Sequence, residues 1–359
     1  VEEYMSEISK VTGRHYAPFV YYGDKEATDI IVAMGSVNET VREVVDFLRE
    51  KEGRKIGLLT VHLYRPFSIE LMMKVLPKTV KRIAVIERTK EQGSIGEPLL
   101  LDVKSAFYGT DNAPHIIGGR YGLSSKDTTP GQIIAVYDNL AKDKAAKTNF
   151  TIGIDDDVTF LSLPVTKEPK VGDSETSELI FYGFGSDGTV GANKNTIKLI
   201  GDSTDQYVQA YFAYDSKKSG GVTISHLRFG KKPIKSTYLI DEADFIACHN
   251  QSYVNQYDLL KGLKPNGTFL LNCMWSVEEL DAKLPAKMKK YIADNNIDLY
   301  IIDATDIAVE LGLGAKINMI MEASFFKLAK VIPLEDAIKH MKAAVVEDYG
   351  MKGDQVVEQ

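Results

Sequence analysis

Apolar and polar residues alternate along the first half of the chain in a way that predicts repeated strand–helix units. From Thr28 onward, "DIIVAMGS" has the continuous apolar run of a buried strand, and "NETVREVVDFLREKEG" has the spacing of an amphipathic helix. Three more pairs follow: "KIGLLTV" with "SIELMMKVLP", "KRIAVIER" with "IGEPLLLDVKSAFYG", and "HIIGGRYG" with "TPGQIIAVYDNLAK". Such a succession predicts a mainly parallel sheet covered by helices on both faces.

A second α/β pattern begins at Leu179. The stretch "LIFYGFGSD" predicts a strand that runs into a loop, and "TVGANKNTIKLIGDST" predicts a helix. Two strands, "QYVQAYFAYDSKK" and "GVTISHLRFGKK", are joined by the turn signal "SGG". Further buried strands are predicted at "DFIACHNQ", "GTFLLNC" and "IDLYIID", with helices around 252–263, 276–295 and 317–330 and a last one at "LEDAIKHMKAAVVEDYG".

These patterns divide the chain into two α/β domains. We expect an irregular linker segment at 1–27, a first domain at 28–147, a connector at 148–178, a second domain at 179–348 and a tail at 349–359. The connector is polar and contains the acidic run Asp155 to Asp157, which is compatible with a metal site but is more typical of a solvated loop. The linker-like start at Val1 predicts that the chain is part of a longer protein.

Composition narrows the classes of protein. Among 359 residues, 44% are hydrophobic and 26% charged, as in globular proteins, and the net charge of −7 argues against nucleic acid or an anionic membrane as partner. No apolar run is long enough to span a bilayer, and the start does not resemble a signal peptide, so we expect a cytoplasmic protein. The two cysteines, Cys248 and Cys273, exclude a disulfide framework, and without C-x-x-C an iron–sulfur cluster has no ligand set.

A glycine-rich stretch, "FYGFGSDGTVGANK", carries the clearest chemical signal. Gly183, Gly185 and Gly188 satisfy G-x-G-x-x-G after a predicted strand and before a predicted helix. Glycines let the backbone approach an anion, and the helix N-terminus offers unpaired N–H groups and a partial positive charge. The pattern therefore predicts a phosphate site, although a glycine-rich turn without a ligand has the same pattern.

Three side chains modify this interpretation. Ser186 and Thr189 add hydroxyl donors, whereas Asp187 argues against a bare phosphate grip unless its carboxylate turns to bond backbone N–H groups.

The residues after the next strand bear on which phosphate is bound. An NAD site needs an acidic residue there, and Asp215 is followed by Lys217 and Lys218. Two lysines favour a ribose that carries an additional phosphate, as in NADP or coenzyme A, but they also suit an ordinary exposed hairpin.

Asn318 lies in the first turn of a later predicted helix, where its amide would either point at a ligand or brace the loop. No histidine spacing typical of zinc proteases, nucleophile elbow, Walker loop or thiamine-diphosphate signature is present, so the sequence offers no catalytic residue.

Several long stretches resemble pyruvate:ferredoxin (flavodoxin) oxidoreductases. "ATDIIVAMGSVNETVREVVDFL", "LYRPFS", "IERTKEQGSIGEPLLLDV" and "GGRYGLSSKDTTPGQ" resemble the family's second domain, which is similar to the C-terminal domain of transketolase. "YGFGSDGTVGANKNTIKLIGD", "AYFAYDSKKSGGVTISHLRFG" and "INMIMEASFFKLA" resemble its third, Rossmann-like gamma domain, and "TGRHYAPFVYYG" resembles the preceding link.

This resemblance implies a middle portion of an enzyme that oxidatively decarboxylates pyruvate and releases acetyl-CoA. Thiamine diphosphate, Mg and [4Fe-4S] clusters would belong to domains outside this stretch, so the chain alone is expected to be inactive. The implied partners are those remaining domains, ferredoxin or flavodoxin, and a second copy in a homodimer. Coenzyme A would be bound as substrate by Gly185 to Thr189, Lys217 and Asn318.

A second hypothesis is a nucleotide-binding or assembly subunit without chemistry of its own. The missing catalytic motifs suit both hypotheses, whereas the order of the two domains favours the enzyme. Arg65 and Phe67 in "HLYRPF" are expected either to contact a neighbouring domain or to form a buried structural loop.

Overall fold

The computed structural model describes residues 1–185, 187–215, 221–314 and 316–349. The chain forms two α/β units, as predicted. The first comprises Val1–Gly172 together with Lys235–Tyr238, and the second comprises Asp173–Ile234 and the chain from Leu239 onward. None of the described helices has the length and apolar character needed to cross a bilayer.

In the first unit, a sheet has the order β1-β3-β2-β4-β5-β6. All neighbouring strands pair in parallel except β1, which runs antiparallel to β3. Helices α2 and α5 cover one face and α3 and α4 the other, so each face has its own apolar core. The elements are α1 Glu2–Thr12, β1 Phe19–Gly23, β2 Asp29–Ala33, α2 Val37–Glu52, β3 Ile56–Val61, α3 Ile69–Val75, β4 Arg82–Glu87, α4 Pro98–Ala106, β5 His115–Arg120, α5 Pro130–Leu140 and β6 Phe150–Thr151.

In the second unit, the described strands form a sheet of order β12-β11-β10-β7-β9-β8. Strands β7, β10, β11 and β12 are parallel, and β9 runs antiparallel between β7 and β8. The elements are β7 Ser177–Phe184, α6 Thr189–Ser203, β8 Tyr207–Tyr214, β9 Val222–Gly230, β10 Ala243–Cys248, β11 Leu263–Asn272, α7 Leu280–Lys283, α8 Ala286–Asp294, β12 Asp298–Ile302, α9 Ala304–Glu310, α10 Asn318–Ala329 and α11 Leu334–Tyr349.

Segments predicted to be irregular contribute to the first unit. The expected linker at 1–27 contains α1 and β1, and β1 extends the sheet edge by pairing Phe19 with Val61. Within the expected connector, β6 pairs with β5, and Leu163 is buried in the core. The Glu168 carboxylate accepts the Gly131 N–H at 2.8 Å at the start of α5. These pairings join residues far apart in sequence, which local periodicity does not detect.

One predicted helix is absent and another is divided. The prediction of a helix around 252–263 was wrong: a 3₁₀ turn at Gln251–Asn255 is followed by turns, and β11 begins at Leu263. The region 276–295 is divided into α7 and α8 at Pro285, which cannot continue a helix.

The acidic run does not form a metal site among the described residues. Asp156 instead accepts hydrogen bonds from the N–H groups of Val158, Thr159 and Leu161 and from the Thr159 hydroxyl. The Thr159 hydroxyl, followed by these backbone donors, holds the pKa of Asp156 well below its usual range. Asp156 therefore organises its own turn.

A short segment of the chain, Lys235–Tyr238, packs on α2 within the first unit. The buried Glu43 carboxylate accepts the Ser236 hydroxyl at 2.7 Å and the Tyr238 hydroxyl at 3.0 Å. Nearby, Lys235 is 3.1 Å from Asp46. A buried carboxylate that accepts two hydroxyls fixes this segment in position.

A buried ion pair stabilises the second unit. Arg228 on β9 is 1% exposed, and its Nε lies 2.9 Å from Oε1 of Glu178 on β7. We expect Glu178→Ala to lower the free energy of unfolding by about 1.5–3 kcal/mol, because the buried guanidinium loses the Glu178 carboxylate but keeps its bonds to Gln209 and Leu239. Denaturant unfolding measures the change, and Glu175→Ala, at an exposed position nearby, is the matched control. Equal stability of the two variants would contradict the prediction.

Candidate functional site

A cleft of about 390 Å³ lies at the carboxyl ends of the parallel strands in the second unit. After β7 the chain crosses to β8 on one side of the sheet, whereas β10, β11 and β12 lie on the other side. The strand order therefore reverses between β7 and β10, which is where open α/β sheets bind ligands. The cleft is lined by Phe184, Asp187, His249, Asn250, Gln251, Asn272, Cys273, Met274, Thr305 and Ile317.

Asp187 organises the turn between β7 and α6. Its carboxylate accepts the Phe184 N–H at 2.7 Å and the Thr189 N–H at 2.8 Å. The carboxylate thus bonds backbone N–H groups. This is the arrangement in which Asp187 is compatible with a phosphate site at the turn. It also places a negative charge at the positive end of α6 and occupies the first N–H group of that helix.

The three glycines of the motif have different roles. A Cβ on Gly183 would lie 2.6 Å from Oγ1 and Cβ of Thr189, so this glycine allows α6 to pack closely on β7. Gly188 has φ 87°, a left-handed conformation that favours glycine. Gly185 is less constrained, and its N–H donates to the Gly221 carbonyl oxygen at 2.9 Å, which joins the turn to the start of β9.

Thr189 and His249 form a buried polar pair beside the turn. The Thr189 Oγ1 lies 2.7 Å from Nδ1 of His249, and both side chains are buried. Burial lowers the pKa of His249 to about 4, with Asp187 acting in the opposite direction. The imidazole is therefore neutral near pH 7 and serves as a hydrogen-bond partner for Thr189.

The structure places Asn318 next to the glycine turn, although the two are far apart in sequence. A Cβ on Gly188 would lie 3.2 Å from Cγ of Asn318, the first residue of α10. Ile317, which precedes α10, lines the cleft together with Asp187. The N-termini of α6 and α10 therefore both lie at the cleft, and their dipoles favour an anion there.

Several lining residues were not predicted from the sequence. Asn250 and Gln251 follow β10, and Asn272 ends β11, where its amide donates to the His249 carbonyl oxygen at 3.0 Å and accepts the Ala304 N–H at 2.9 Å. The signal that would have identified them is their position directly at the carboxyl ends of buried strands.

Three of the remaining candidate residues, Ser186, Lys217 and Lys218, lie outside the described residues. Asp215 follows β8, and its N–H donates to the Val222 carbonyl oxygen at 3.1 Å across the base of the hairpin.

The loop with Arg65 and Phe67 lies in the first unit. Phe67 packs edge-on against Phe19, with 5.3 Å between the ring centroids, and so has a structural role. Arg65 is half exposed, stacks on Tyr64 and lies 2.8 Å from Asp102.

The donor set of the described residues does not fit a metal cluster. No three His, Cys, Asp or Glu side chains in this part of the chain are arranged to hold an ion. Cys248 and Cys273 are buried in the core, and burial raises the pKa of both thiols, that of Cys248 to about 12. Both thiols therefore stay protonated, which suits neither metal ligation nor nucleophilic chemistry.

The close packing of β7 and α6 leads to a first prediction for this site. Gly183→Ala should lower the free energy of unfolding by about 1–3 kcal/mol, because the new methyl group would overlap Thr189. Gly191→Ala in α6 is the control: no atom lies within 4 Å of its Cβ position, so the change should stabilise by up to about 1 kcal/mol. Denaturant unfolding distinguishes these outcomes, and similar effects of the two alanines would contradict the packing argument.

The neutral His249 predicts a pH dependence of stability. Its pKa is about 4 in the folded chain and about 6.5 when unfolded, so between these values only the unfolded chain binds the proton. Stability from this residue is present above pH 6.5 and falls as the pH is lowered, by about 2 kcal/mol at pH 5. The loss between pH 7 and pH 5 should be smaller by this amount in His249→Asn, and unchanged in the control His15→Asn. Parallel curves for wild type and His249→Asn would refute this assignment.

Comparisons with known proteins agree with this architecture. A family model described as pyruvate ferredoxin/flavodoxin oxidoreductase matches residues 178–359, and one described as pyruvate:ferredoxin oxidoreductase core domain II matches residues 27–133. A pyruvate-flavodoxin oxidoreductase from Enterobacter agglomerans is 58% identical over all of this chain, which spans 30% of that protein. A pyruvate dehydrogenase [NADP(+)] from Cryptosporidium parvum is 50% identical over 99% of this chain, which spans 19% of that protein.

Among solved structures, a pyruvate oxidoreductase subunit from Thermotoga maritima is similar with a TM-score of 0.42 and 18% identity. The similarity covers 52% of this chain and 90% of that subunit. The chain spans about a third or less of the length of the relatives from Enterobacter agglomerans and Cryptosporidium parvum. The family model over residues 178–359 covers just over half of the chain, and the chain belongs to the pyruvate ferredoxin/flavodoxin oxidoreductase family.

Proposed function

We propose that this chain is the coenzyme A-binding portion of an oxidoreductase that forms acetyl-CoA and CO2 from pyruvate and coenzyme A. The observation that carries the proposal is the cleft at the carboxyl ends of β7, β10 and β11, with the N-termini of α6 and α10 beside it. Membership of the family supports the reaction class. The role of this portion is to bind and orient a substrate.

Hydrogen-bond donors that are already occupied limit where the phosphates bind. Asp187 already occupies the N–H groups of Phe184 and Thr189, so a pyrophosphate needs other donors. The next N–H groups of α6, at Val190 and Gly191, have no partner within the helix because they belong to its first turn. The amide of Asn318 adds a donor beside Gly188. We assign the pyrophosphate to this set, with Gly183, Gly185 and Gly188 shaping the turn.

The hairpin after β8 supplies the positive charge in this proposal. Gly221, at the base of the hairpin, accepts the Gly185 N–H, so this part of the chain adjoins the turn. Lys217 and Lys218 belong to the hairpin in sequence. Their charges would favour the 3′-phosphate that distinguishes coenzyme A from dephospho-coenzyme A, and Ser186 would add a hydroxyl donor.

We propose that the cofactors of the reaction are bound by domains outside this chain. The reaction would need thiamine diphosphate, Mg and [4Fe-4S] clusters, and in the described part of the chain no three His, Cys, Asp or Glu side chains are arranged to hold a metal ion. We assign those groups to other domains of a complete, homodimeric and cytoplasmic enzyme. Relatives named for flavodoxin and for NADP(+) both match almost the whole chain, and we assign the choice of electron acceptor to those other domains.

Binding experiments test the proposal directly. The chain should bind coenzyme A more tightly than dephospho-coenzyme A by roughly fivefold at low salt, because one exposed charged contact contributes about 1 kcal/mol. Lys217→Ala combined with Lys218→Ala should remove that preference, while the control Lys287→Ala, which changes an exposed lysine paired with Asp258, should keep it. Titration calorimetry measures all three. Equal affinity of the wild-type chain for both ligands would argue against the lysine assignment.

The same titrations address a nucleotide-binding or assembly subunit as the alternative. NADP also carries an extra ribose phosphate, so it is the informative competitor. Tighter binding of NADP than of coenzyme A would favour that alternative. The absence of binding by either ligand would refute a ligand site in this chain.

A further inference from the structure

A buried polar seam runs along one face of α6 and reaches α10 through Glu322. It consists of Thr189, Asn193 and Thr196 on α6 and Glu322 on α10, all less than 10% exposed. The three α6 residues are spaced four and three apart, so they share one face of that helix. Helices normally bury apolar residues. Core packing alone therefore does not explain why these buried positions are polar.

Glu322 makes the central contact of the seam. Its Oε1 accepts the Thr196 hydroxyl at 2.6 Å, and the residue is 7% exposed. Burial of a carboxylate costs free energy that hydrogen bonds only partly offset, and leucine would fill a similar volume without that cost. The hydrogen bond between Glu322 and Thr196 defines how α10 lies against α6 at this point.

That geometry concerns Asn318. Asn318 and Glu322 are four residues apart on α10 and so lie on the same face, one above the other. Asn318 contacts the glycine turn at Gly188, while Glu322 contacts Thr196 further along α6. The two helices thus lie side by side with their N-termini at the same end. A slip of α10 by one residue would shift Asn318 by about 1.5 Å and rotate it by roughly 100°.

We propose that Glu322 is a positioning residue that fixes the register of α10 along α6 and thereby holds the Asn318 amide at the ligand site. This inference rests on the proposed coenzyme A site for its functional consequence. Glu322 lies outside the cleft described above, so its effect on a ligand bound there would be transmitted through Asn318.

A set of four variants tests this role: Glu322→Gln, Glu322→Leu, Asn318→Ala and the double variant Glu322→Leu/Asn318→Ala. Gln keeps an acceptor for the Thr196 hydroxyl, whereas Leu keeps volume but removes the hydrogen bond. Coenzyme A affinity by calorimetry should fall about fivefold in Glu322→Leu and be restored in Glu322→Gln. In the Asn318→Ala background, Glu322→Leu should cause no further loss.

Amide hydrogen exchange without ligand provides a second, independent measurement. Glu322→Leu should reduce the protection of the α10 and α6 amides that follow the first turn of each helix, while β10 and β11 keep theirs. The control Glu335→Gln, at an exposed carboxylate on α11, should change neither readout.

The outcomes separate the two proposals. Wild-type affinity in Glu322→Leu, failure of Glu322→Gln to restore it, or an equal loss with and without Asn318 would overturn the positioning role but leave the coenzyme A site intact. If no variant binds coenzyme A, the proposed function fails. Hydrogen exchange then decides alone: a loss of protection confined to α10 and α6, beyond their first turns, supports the register role, and any other pattern refutes it.

Discussion

Parallel pairing of β7 with β10 is the constraint on which the candidate site depends. It brings the carboxyl ends of both strands to the same edge of the sheet, with the strand order reversing between them. The glycine turn after β7 and the polar residues after β10 therefore meet at one cleft. Helix α6 starts there because Gly183 has no side chain to hold it away from β7.

Asp187 and His249 determine the charge that the protein itself contributes at this cleft. Asp187 satisfies backbone donors at the turn and carries a negative charge at the start of α6, where the helix dipole stabilises it. His249 stays neutral because it is buried, so the pair does not add a positive charge to the site. In the proposed site, the N-termini of α6 and α10 attract the anionic ligand, and Lys217 and Lys218 are proposed to add positive charge.

The two units share a doubly wound design but differ in what their sheet edges offer. In the first unit, the Glu87 carboxylate at the end of β4 accepts the N–H groups of Leu99 and Leu100 at 2.8 and 3.0 Å, so the protein itself caps the start of α4. In the second unit a cleft of about 390 Å³ stays open at the corresponding edge. We therefore place the proposed coenzyme A site in the second unit.

Local sequence determined the strand–helix succession, the glycine motif and the long stretches typical of the family, because periodicity and turn chemistry act over a few residues. It did not determine the edge strand β1 or the packing of residues 148–172 on the first unit, where long-range pairing decides, whereas the break at Pro285 follows from proline itself. The glycine turn was predictable, but its neighbours were not. Asn318, His249 and Asn272 come from separate segments, and only the parallel sheet, which aligns strand ends distant in sequence, brings them to one place.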